Sequence, residues 1–275
     1  MQAENKYYEQ SDLWEKDYSI KPDEKERLCE TINLIPANVQ TILDVGCGNG
    51  FFLNALPPKY ETIGIDFSQE ALKRVKTKTI LGNISRLPFP DRSFDLVTCL
   101  EVLEHLPHDV FTEALGEIQR VARKYIIVSV PNQQDLSLSL VVCPACQCHF
   151  NPCYHLRSFS PNFLKTLFVN FEPVAIKEIG PVSYLYPQFI ERLYSSLIGA
   201  KPVFPSHAIC PQCGCVCRND PVEKNSILVP STLQKTRTLR KILTPLRLAV
   251  KLVIRPRQKR YWLIGFYSNS NSRYA

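Results

Sequence analysis

The chain has 275 residues, of which 45% are hydrophobic, with a formal net charge of +7 and eleven cysteines. This length and apolar content exclude global disorder and fit one α/β domain with an insertion, or two small domains. Residues 1–20 are polar and mixed in charge, unlike a secretory signal, and no apolar run approaches membrane-spanning length. We therefore expect a cytoplasmic protein.

Aromatic residues stand among charges at the start of the chain, namely Tyr7, Tyr8, Trp14 and Tyr18. Two interpretations stay open: these side chains cover a ligand, or they pack on the domain surface. An amphipathic helix is predicted over 22–35, where Pro36 stops it. We assign residues 1–35 to this N-terminal arm and helix.

A glycine-rich turn follows the first predicted strand, 41–46. The sequence D-V-G-C-G-N-G places Gly46, Gly48 and Gly50 at every second position, which is typical of a tight turn that a ligand approaches closely. The apolar residues from Phe51 onward are expected to start a helix. Strand, glycine turn and helix in this order open the ligand site of a doubly wound α/β fold. The spacing differs from G-x-G-x-x-G, which argues against NAD or FAD.

Strands and helices continue to alternate as far as residue 132. The further predicted strands are 61–66, 79–81, 95–100 and 125–130. One helix is expected after Ser68, which would cap it, and another over 109–122. The alternation predicts a parallel sheet with both faces covered, and we assign 36–132 to this core.

The pattern is less regular beyond residue 132. Helices are predicted over 160–170, with Phe163 among the residues facing the core, and over 187–200. A core strand is predicted near 171–179 and a final strand over 261–267. We assign 133–260 to one region and 261–275 to the final core strand and tail.

Eight of the eleven cysteines lie in two clusters, within 143–153 and 210–217, and each cluster opens with a C-x-x-C pair. Two such pairs supply the four thiolates of a tetrahedral structural zinc site. The predicted ligands are Cys143, Cys146, Cys210 and Cys213. The other cysteines and His149 are spare donors that leave the ligand set open. Reduced unliganded thiols or redox chemistry stay the alternative.

Positive charge is concentrated in residues 235–260. This segment holds ten of the 33 Lys and Arg residues and no acidic residue. The rest of the chain holds 23 basic and 26 acidic residues, so it is slightly acidic. Apolar residues recur there at helical spacing, which predicts a basic amphipathic helix. Either the helix docks on the protein with its charges in solvent, or it contacts an anionic membrane surface and makes the cytoplasmic protein peripheral to a membrane.

Four segments of the core are notable for their order and spacing: D-V-G-C-G-N-G at 44–50, G-I-D at 64–66, L-P-F-P-D-R-S-F-D-L-V at 87–97 and E-V-L-E-H-L at 101–106. Together they resemble a class I S-adenosylmethionine-dependent methyltransferase, closest to the small-molecule branch called type 11. The resemblance implies a Rossmann-like, doubly wound seven-stranded sheet whose last strand is antiparallel. The Cys-rich insertion within 133–260, with its zinc, would then cover the acceptor site.

Asp66, at the end of the second strand, suits the two ribose hydroxyls of the cofactor because a carboxylate accepts two hydrogen bonds. The resemblance implies that Asp44 holds the glycine turn or reaches the methionine amino group. Asn83, where the family usually has Asp, would accept from the adenine amino group, with Ile84 on the adenine face. The full predicted cofactor set is Asp44, Gly46, Cys47, Gly48, Gly50, Asp66, Phe67, Asn83, Ile84 and Leu100.

Methyl transfer mainly requires that the acceptor be aligned and water excluded, but a hydroxyl acceptor also needs a base. His105 and His155 are the candidates for this catalytic role. A structural role for His105 and a metal-ligand role for His155 are the alternatives.

The expected acceptor is a small molecule or a glycan-type intermediate with an O or N nucleophile. A nucleic-acid or protein methyltransferase is one alternative, and a non-catalytic cofactor-binding module is another. The acidic body of the chain and the lack of an N/D-P-P-Y/F motif make nucleic acid the less favoured partner.

Overall fold

A seven-stranded sheet runs through the computed structural model of the chain. The structure describes residues 6–15, 21–137, 140–185, 208–216 and 257–270. The helices are α1 Ser11–Trp14, α2 Pro22–Asn33, α3 Gln69–Leu72, α4 His108–Val121 and α5 Pro161–Lys165. The strands are β1 Thr41–Val45, β2 Glu61–Asp66, β3 Lys78–Leu81, β4 Phe94–Leu100, β5 Ala122–Pro131, β6 Val141–Val142, β7 His149–Phe150, β8 Phe171–Leu185 and β9 Arg257–Asn269.

The strand order of the large sheet is β3-β2-β1-β4-β5-β9-β8. The first five strands pair in parallel, and β9 is antiparallel to both β5 and β8. The predicted doubly wound α/β sheet with an antiparallel last strand is therefore confirmed. The strand order reverses between β1 and β4, so a crevice opens at the carboxyl ends of these two strands, where such sheets bind ligands.

Both faces of the sheet are covered, because the central strands bury side chains in both directions. Leu43 and Val97 pack on the face that carries α4, whose Ile118 is fully buried. Ile42 and Leu96 point to the opposite face, where partly buried side chains of α2 pack against them. This continuous apolar pattern is what a sheet buried on both sides requires.

The helix expected from Phe51 does not form. Instead, a single 3-10 turn, Leu53–Ala55, follows the glycine turn. Only six residues separate Gly50 from the Pro57-Pro58 pair, and the residue before a proline is driven out of helical geometry. Ser68 caps α3 as predicted, since its Oγ accepts from the Ala71 amide, but the helix is one turn long.

Two elements beyond residue 132 differ in extent from their predictions. The helix expected over 160–170 is limited to α5. Phe163 is 37% exposed, although its ring stacks on the buried ring of Phe159. The strand expected near 171–179 continues to Leu185 as β8. A bulge between Ile179 and Val182 lets the strand pass Gly180, whose φ is +83°, and pairing with β9 then resumes.

The last strand begins at Arg257, so 257–260 belong to β9 and not to the basic helical segment. Residues 257–260 form part of the strand because they pair with the extended end of β8, where Arg257 lies opposite Leu185. The predicted helix over 187–200 and the basic segment up to residue 256 lie outside the described residues. No helix in the described part of the chain is long and apolar enough to span a bilayer.

Candidate active site

The glycine turn after β1 is held by the end of β2. The amides of Gly46 and Cys47 donate to the carbonyl of Ile65, and the Gly48 amide donates to Oδ2 of Asp66 at 2.8 Å. Gly46 and Gly48 have φ values of +73° and +52°, which residues with a Cβ rarely adopt. These φ values form the tight turn that the sequence predicted, and a close approach of a ligand to it stays a prediction.

Two adjoining cavities occupy this crevice. The first, of about 360 Å³, lies between the ends of β2 and β3 and the loop after β4. The second, of about 560 Å³, lies over the glycine turn and reaches the N-terminal arm and β9. Five residues line both cavities: Tyr8, Trp14, Gly46, Glu101 and His105. The junction of the two cavities therefore lies beside Gly46, Glu101 and His105.

Most of the predicted cofactor residues line one of these cavities. Those lining the first are Gly46, Asp66, Phe67, Asn83 and Ile84. Those lining the second are Asp44, Gly46, Cys47, Gly48 and Leu100. Gly50 lines neither of them, and a Cβ there would meet Asn54 and Val75 behind the turn. Gly50 therefore shapes the turn from behind.

Three of these side chains make contacts that the sequence did not indicate. Oδ1 of Asn83 accepts from the Ser85 amide at 3.0 Å, which fixes the turn in which Asn83 lies. Cys47 is buried, and its Sγ lies so close to Gly64 that a Cβ added there would be only 2.7 Å from it. Burial raises the pKa of the Cys47 thiol well above its usual range, so it stays protonated. Phe67 is 45% exposed and packs edge-on against Tyr8.

The N-terminal arm covers the glycine turn. The ring of Trp14 lies over Gly48, and Nδ2 of Asn49 donates to the Trp14 carbonyl at 3.1 Å. The Ser68 hydroxyl donates to the carbonyl of Tyr8 at 2.8 Å. Tyr7 is buried in the protein, as the packing interpretation of the arm requires, while Tyr8 and Trp14 line the cavities. That these two side chains cover a ligand stays a prediction, and Tyr18 lies outside the described residues.

Carboxyl groups crowd around the crevice. Asp44 is 2% exposed, and burial raises its pKa to about 7 although Oδ1 accepts from Oγ1 of Thr98 at 2.6 Å. Burial also raises the pKa of Asp66, against the opposing effect of the backbone amides that donate to it. Because negative charge here is poorly solvated, the crevice favours a cationic ligand.

Glu101 is anchored from three directions at the junction. Its Oε1 accepts from the Ser129 hydroxyl at 2.8 Å, and its Oε2 accepts from Nε1 of Trp262 at 2.9 Å. Nη1 of Arg27 lies 3.8 Å from Oε1, and its guanidinium also packs on the Trp262 ring. Glu101 has a φ of +58°, a conformation that a bulky residue adopts only under constraint.

The structure brings the two predicted catalytic histidines together. The ring centroids of His105 and His155 are 4.7 Å apart. Burial, with His155 as a second cause, lowers the pKa of His105 to about 3, and burial lowers the pKa of His155 to about 4. Both imidazoles are therefore neutral at pH 7.

The four predicted zinc ligands also come together. Sγ of Cys143 lies 3.6 Å from Sγ of Cys213, and Sγ of Cys146 lies 3.5 Å from Sγ of Cys210. A tetrahedral site with Zn–S bonds of about 2.3 Å has sulfur–sulfur edges of about 3.8 Å. The four thiols therefore fit a zinc ion closely.

The two C-x-x-C turns have the same backbone geometry. The Gln147 amide donates to the Cys143 carbonyl and the Gly214 amide to the Cys210 carbonyl, each at 2.9 Å. Gln147 adopts a φ of +60° and Gly214 one of +70°. Gln147 thus takes the conformation for which glycine is usual.

Several residues of the site were not assigned from the sequence. Glu101 and Glu104 lie in the E-V-L-E-H-L segment, and two carboxylates next to a histidine after a strand were an available signal. Arg27 and Trp262 could not be found in this way, because α2 and β9 reach the crevice only through the tertiary fold.

Comparison with known proteins bears on residues 43–128, which match the family described as "Methyltransferase domain". This segment is therefore similar to methyltransferase domains. An uncharacterized protein of Methanocaldococcus jannaschii is 44% identical over 99 residues, or 34% of this chain and 42% of that protein. Malonyl-[acyl-carrier protein] O-methyltransferase 1 of Coxiella burnetii is 36% identical over 75 residues, or 26% of this chain and 27% of that enzyme. The chain therefore spans less than half the length of these relatives.

Among solved structures, a SAM dependent methyltransferase from Archaeoglobus fulgidus superposes with a TM-score of 0.52 at 16% identity. The superposition covers 94% of this chain and 97% of that one. At this identity the likeness shows the fold alone.

Proposed function

We propose that the protein transfers a methyl group from S-adenosylmethionine to an acceptor held in the second cavity. The adenosine part would lie in the first cavity, with its ribose hydroxyls on Asp66 and its base beside Asn83 and Ile84. The methionine part would lie on the glycine turn near Asp44. The observation that carries this proposal is the junction of the two cavities beside Gly46, where donor and acceptor can meet.

The charge of the crevice supports this donor. S-adenosylmethionine carries a sulfonium and an ammonium group, and it would enter a site lined by the buried carboxyl groups of Asp44 and Asp66 and the partly buried one of Glu101. Transfer neutralises the sulfonium, so the product S-adenosylhomocysteine loses one favourable interaction and can leave.

A calorimetric titration tests the cofactor assignment. We expect S-adenosylmethionine and S-adenosylhomocysteine each to bind at one site per chain, because both share the ribose and methionine contacts. An absence of binding to folded protein would contradict the proposal.

The acceptor we propose is a small molecule or glycan-type intermediate that reacts at oxygen. The Coxiella relative is named as an O-methyltransferase, and the second cavity is enclosed in part by the arm and by Trp262. A hydroxyl acceptor must lose a proton, and His105 and His155 line the second cavity, where the acceptor would lie. Their lowered pKa values make both imidazoles weak bases on their own.

We also propose that zinc at Cys143, Cys146, Cys210 and Cys213 has a structural role. Four thiolates fill a tetrahedral site and leave no position for a substrate. The second turn is tied to the arm, because the hydroxyl of Tyr154 donates to the Ile209 carbonyl and Tyr154 packs on Tyr7. Zinc would thereby hold the wall of the second cavity.

The basic segment 235–256 has the sequence pattern of a basic amphipathic helix, which supports a contact with an anionic membrane surface. This contact would place the active site beside a lipid-linked acceptor, and it stays a proposal.

A further inference from the structure

Three side chains beside the junction of the cavities form a cluster apart from the cysteines. Glu104, His105 and His155 each bring one ligand atom to within 4.8 Å of the others. Glu104 is 1% exposed, and neither of its carboxyl oxygens has a hydrogen-bond partner among the described residues. A buried carboxyl group without a partner is costly, so this arrangement points to a missing ligand.

The backbone holds the cluster in place from two segments. Glu104 and His105 belong to the 3-10 turn that follows β4. The segment after His155 is tied to this turn, since the Leu156 and Arg157 amides donate to the Glu104 carbonyl at 2.7 and 3.2 Å. The three side chains are therefore positioned by the fold and not by a mobile surface.

The tautomer of His155 is fixed in a form that suits a metal ligand. Its Nδ1 donates to Oε1 of Gln134, so the proton lies on Nδ1 and the lone pair of Nε2 is left available. A hydrogen bond from the remote ring nitrogen to an oxygen is the usual support of a metal-bound histidine.

Glu101 differs from Glu104 although both lie in the same short segment. Both oxygens of Glu101 have a partner, since Oε1 accepts from Ser129 and Oε2 accepts from Trp262, and Arg27 lies nearby. The cluster therefore offers one carboxylate and two imidazoles.

We propose that Glu104, His105 and His155 bind one divalent transition-metal ion, with open coordination positions toward the second cavity. One carboxylate and two imidazole nitrogens form a ligand set used by catalytic zinc and by non-haem iron, and manganese or cobalt also accept it. His105 and His155 line the second cavity, so the open positions face the acceptor.

This inference rests on the proposed function and narrows the acceptor to a hydroxyl compound. A hydroxyl oxygen bound to the metal releases its proton to water near neutral pH. The resulting oxyanion attacks the methyl carbon, the C–S bond breaks, and its electron pair stays on sulfur to give S-adenosylhomocysteine. In this arrangement both histidines act as ligands and neither acts as the base.

Manganese binding followed by electron paramagnetic resonance tests the site. Mn²⁺ prefers oxygen ligands over thiolates, so protein that carries one zinc per chain at its cysteines, with no excess zinc, is used. We expect wild type to bind one Mn²⁺ per chain and Glu104→Gln and His155→Gln to bind it at least tenfold more weakly. His108→Gln is the matched control, because His108 is an exposed histidine on α4 and should bind Mn²⁺ like wild type.

Glu104→Gln also distinguishes two roles of Glu104, namely an anionic metal ligand and a buried, protonated acid without a ligand. A protonated glutamic acid that only fills space is replaced well by glutamine, whereas an anionic ligand is not. Thermal unfolding checks that both variants fold. Should either fail to fold, pulsed resonance on wild type with ¹⁵N-labelled histidine gives a second measurement, in which two imidazole couplings are expected.

The metal site is overturned if wild type binds no Mn²⁺, if the Glu104 and His155 variants bind it as wild type does, or if the imidazole couplings are absent. Calorimetry with S-adenosylhomocysteine on the same wild-type sample distinguishes the two proposals. If wild type binds S-adenosylhomocysteine but not Mn²⁺, the metal site alone is overturned. If wild type does not bind S-adenosylhomocysteine, the proposed function is overturned.

Discussion

At the scale of single residues, the carboxylate of Asp66 has two roles, one in holding the glycine turn and one proposed in cofactor binding. Its oxygens accept from the Gly48 and Ser68 amides, at 2.8 and 2.9 Å, which holds the glycine turn against the end of β2. The same carboxylate lines the first cavity, where it is proposed to accept from the ribose. Each oxygen has two lone pairs, so both roles are compatible.

Replacing Asp66 should therefore weaken cofactor binding. We expect Asp66→Ala to reduce the affinity for S-adenosylhomocysteine by about 1.5–3 kcal/mol, because charge-assisted hydrogen bonds are lost. Asp66→Asn should lose less, since it keeps one acceptor oxygen. Calorimetry measures both, with Asp91→Ala as a surface control, and an Asp66→Ala affinity equal to wild type would contradict the ribose assignment.

At the scale of elements, β4 is fixed at its start by Asp95, at the end of the sheet opposite the crevice. Oδ2 accepts from the Gln40 amide at 3.0 Å, and Oδ1 accepts from Arg123 at 2.7 Å and Lys124 at 2.9 Å. Burial alone would raise the pKa of Asp95, but these hydrogen bonds outweigh burial and lower it to about 2.

This pKa shift predicts how stability depends on pH. The folded-state pKa lies below the ordinary value of 3.8, so the stabilisation is present above pH 4 and is lost as pH falls through 2. We expect Asp95→Asn to cost about 2 kcal/mol of unfolding free energy at pH 7. Urea unfolding of both proteins from pH 7 to 2 should show the difference shrinking, and a constant difference would refute the charge-based account.

The two C-x-x-C turns are the other element whose role can be tested separately, through zinc content and thermal stability. We expect wild type made without added zinc to hold about one tightly bound zinc per chain and Cys210→Ser to hold none, with a melting temperature lower by about 5 °C or more. Cys29→Ser is the control, because Cys29 is an exposed cysteine on α2. Metal analysis with thermal unfolding decides the matter, and a metal-free, fully folded wild type would exclude a structural zinc.

The elements that the sequence predicted well are those whose signals are local. The strands of the core, the glycine turn and the Ser68 cap depend on residues adjacent in the chain. The extension of β8 past Gly180 could not be predicted, because it depends on pairing with β9 more than 70 residues later. Likewise, only the fold reveals that Glu104 faces two histidines while Glu101 faces Ser129 and Trp262.

At the scale of the whole molecule, distant parts of the chain meet around one crevice. The arm supplies Tyr8 and Trp14, the core supplies the glycine turn, and the segment after the first cysteine pair supplies His155. β9 supplies Trp262, whose ring packs so closely on Gly180 that a Cβ there would lie 2.4 Å from it. The antiparallel last strand thus completes the wall of the second cavity.

Transfer of a labelled methyl group tests the central claim most directly. The full chain, with S-adenosylmethionine labelled in the methyl group, is added to cell extract separated into small molecules, lipids, protein and RNA. We predict label in the small-molecule or lipid fraction, with one S-adenosylhomocysteine formed per methyl transferred, and no transfer by Asp66→Ala at limiting cofactor. Label confined to RNA or protein, or no transfer by a protein that binds the cofactor, would contradict the account.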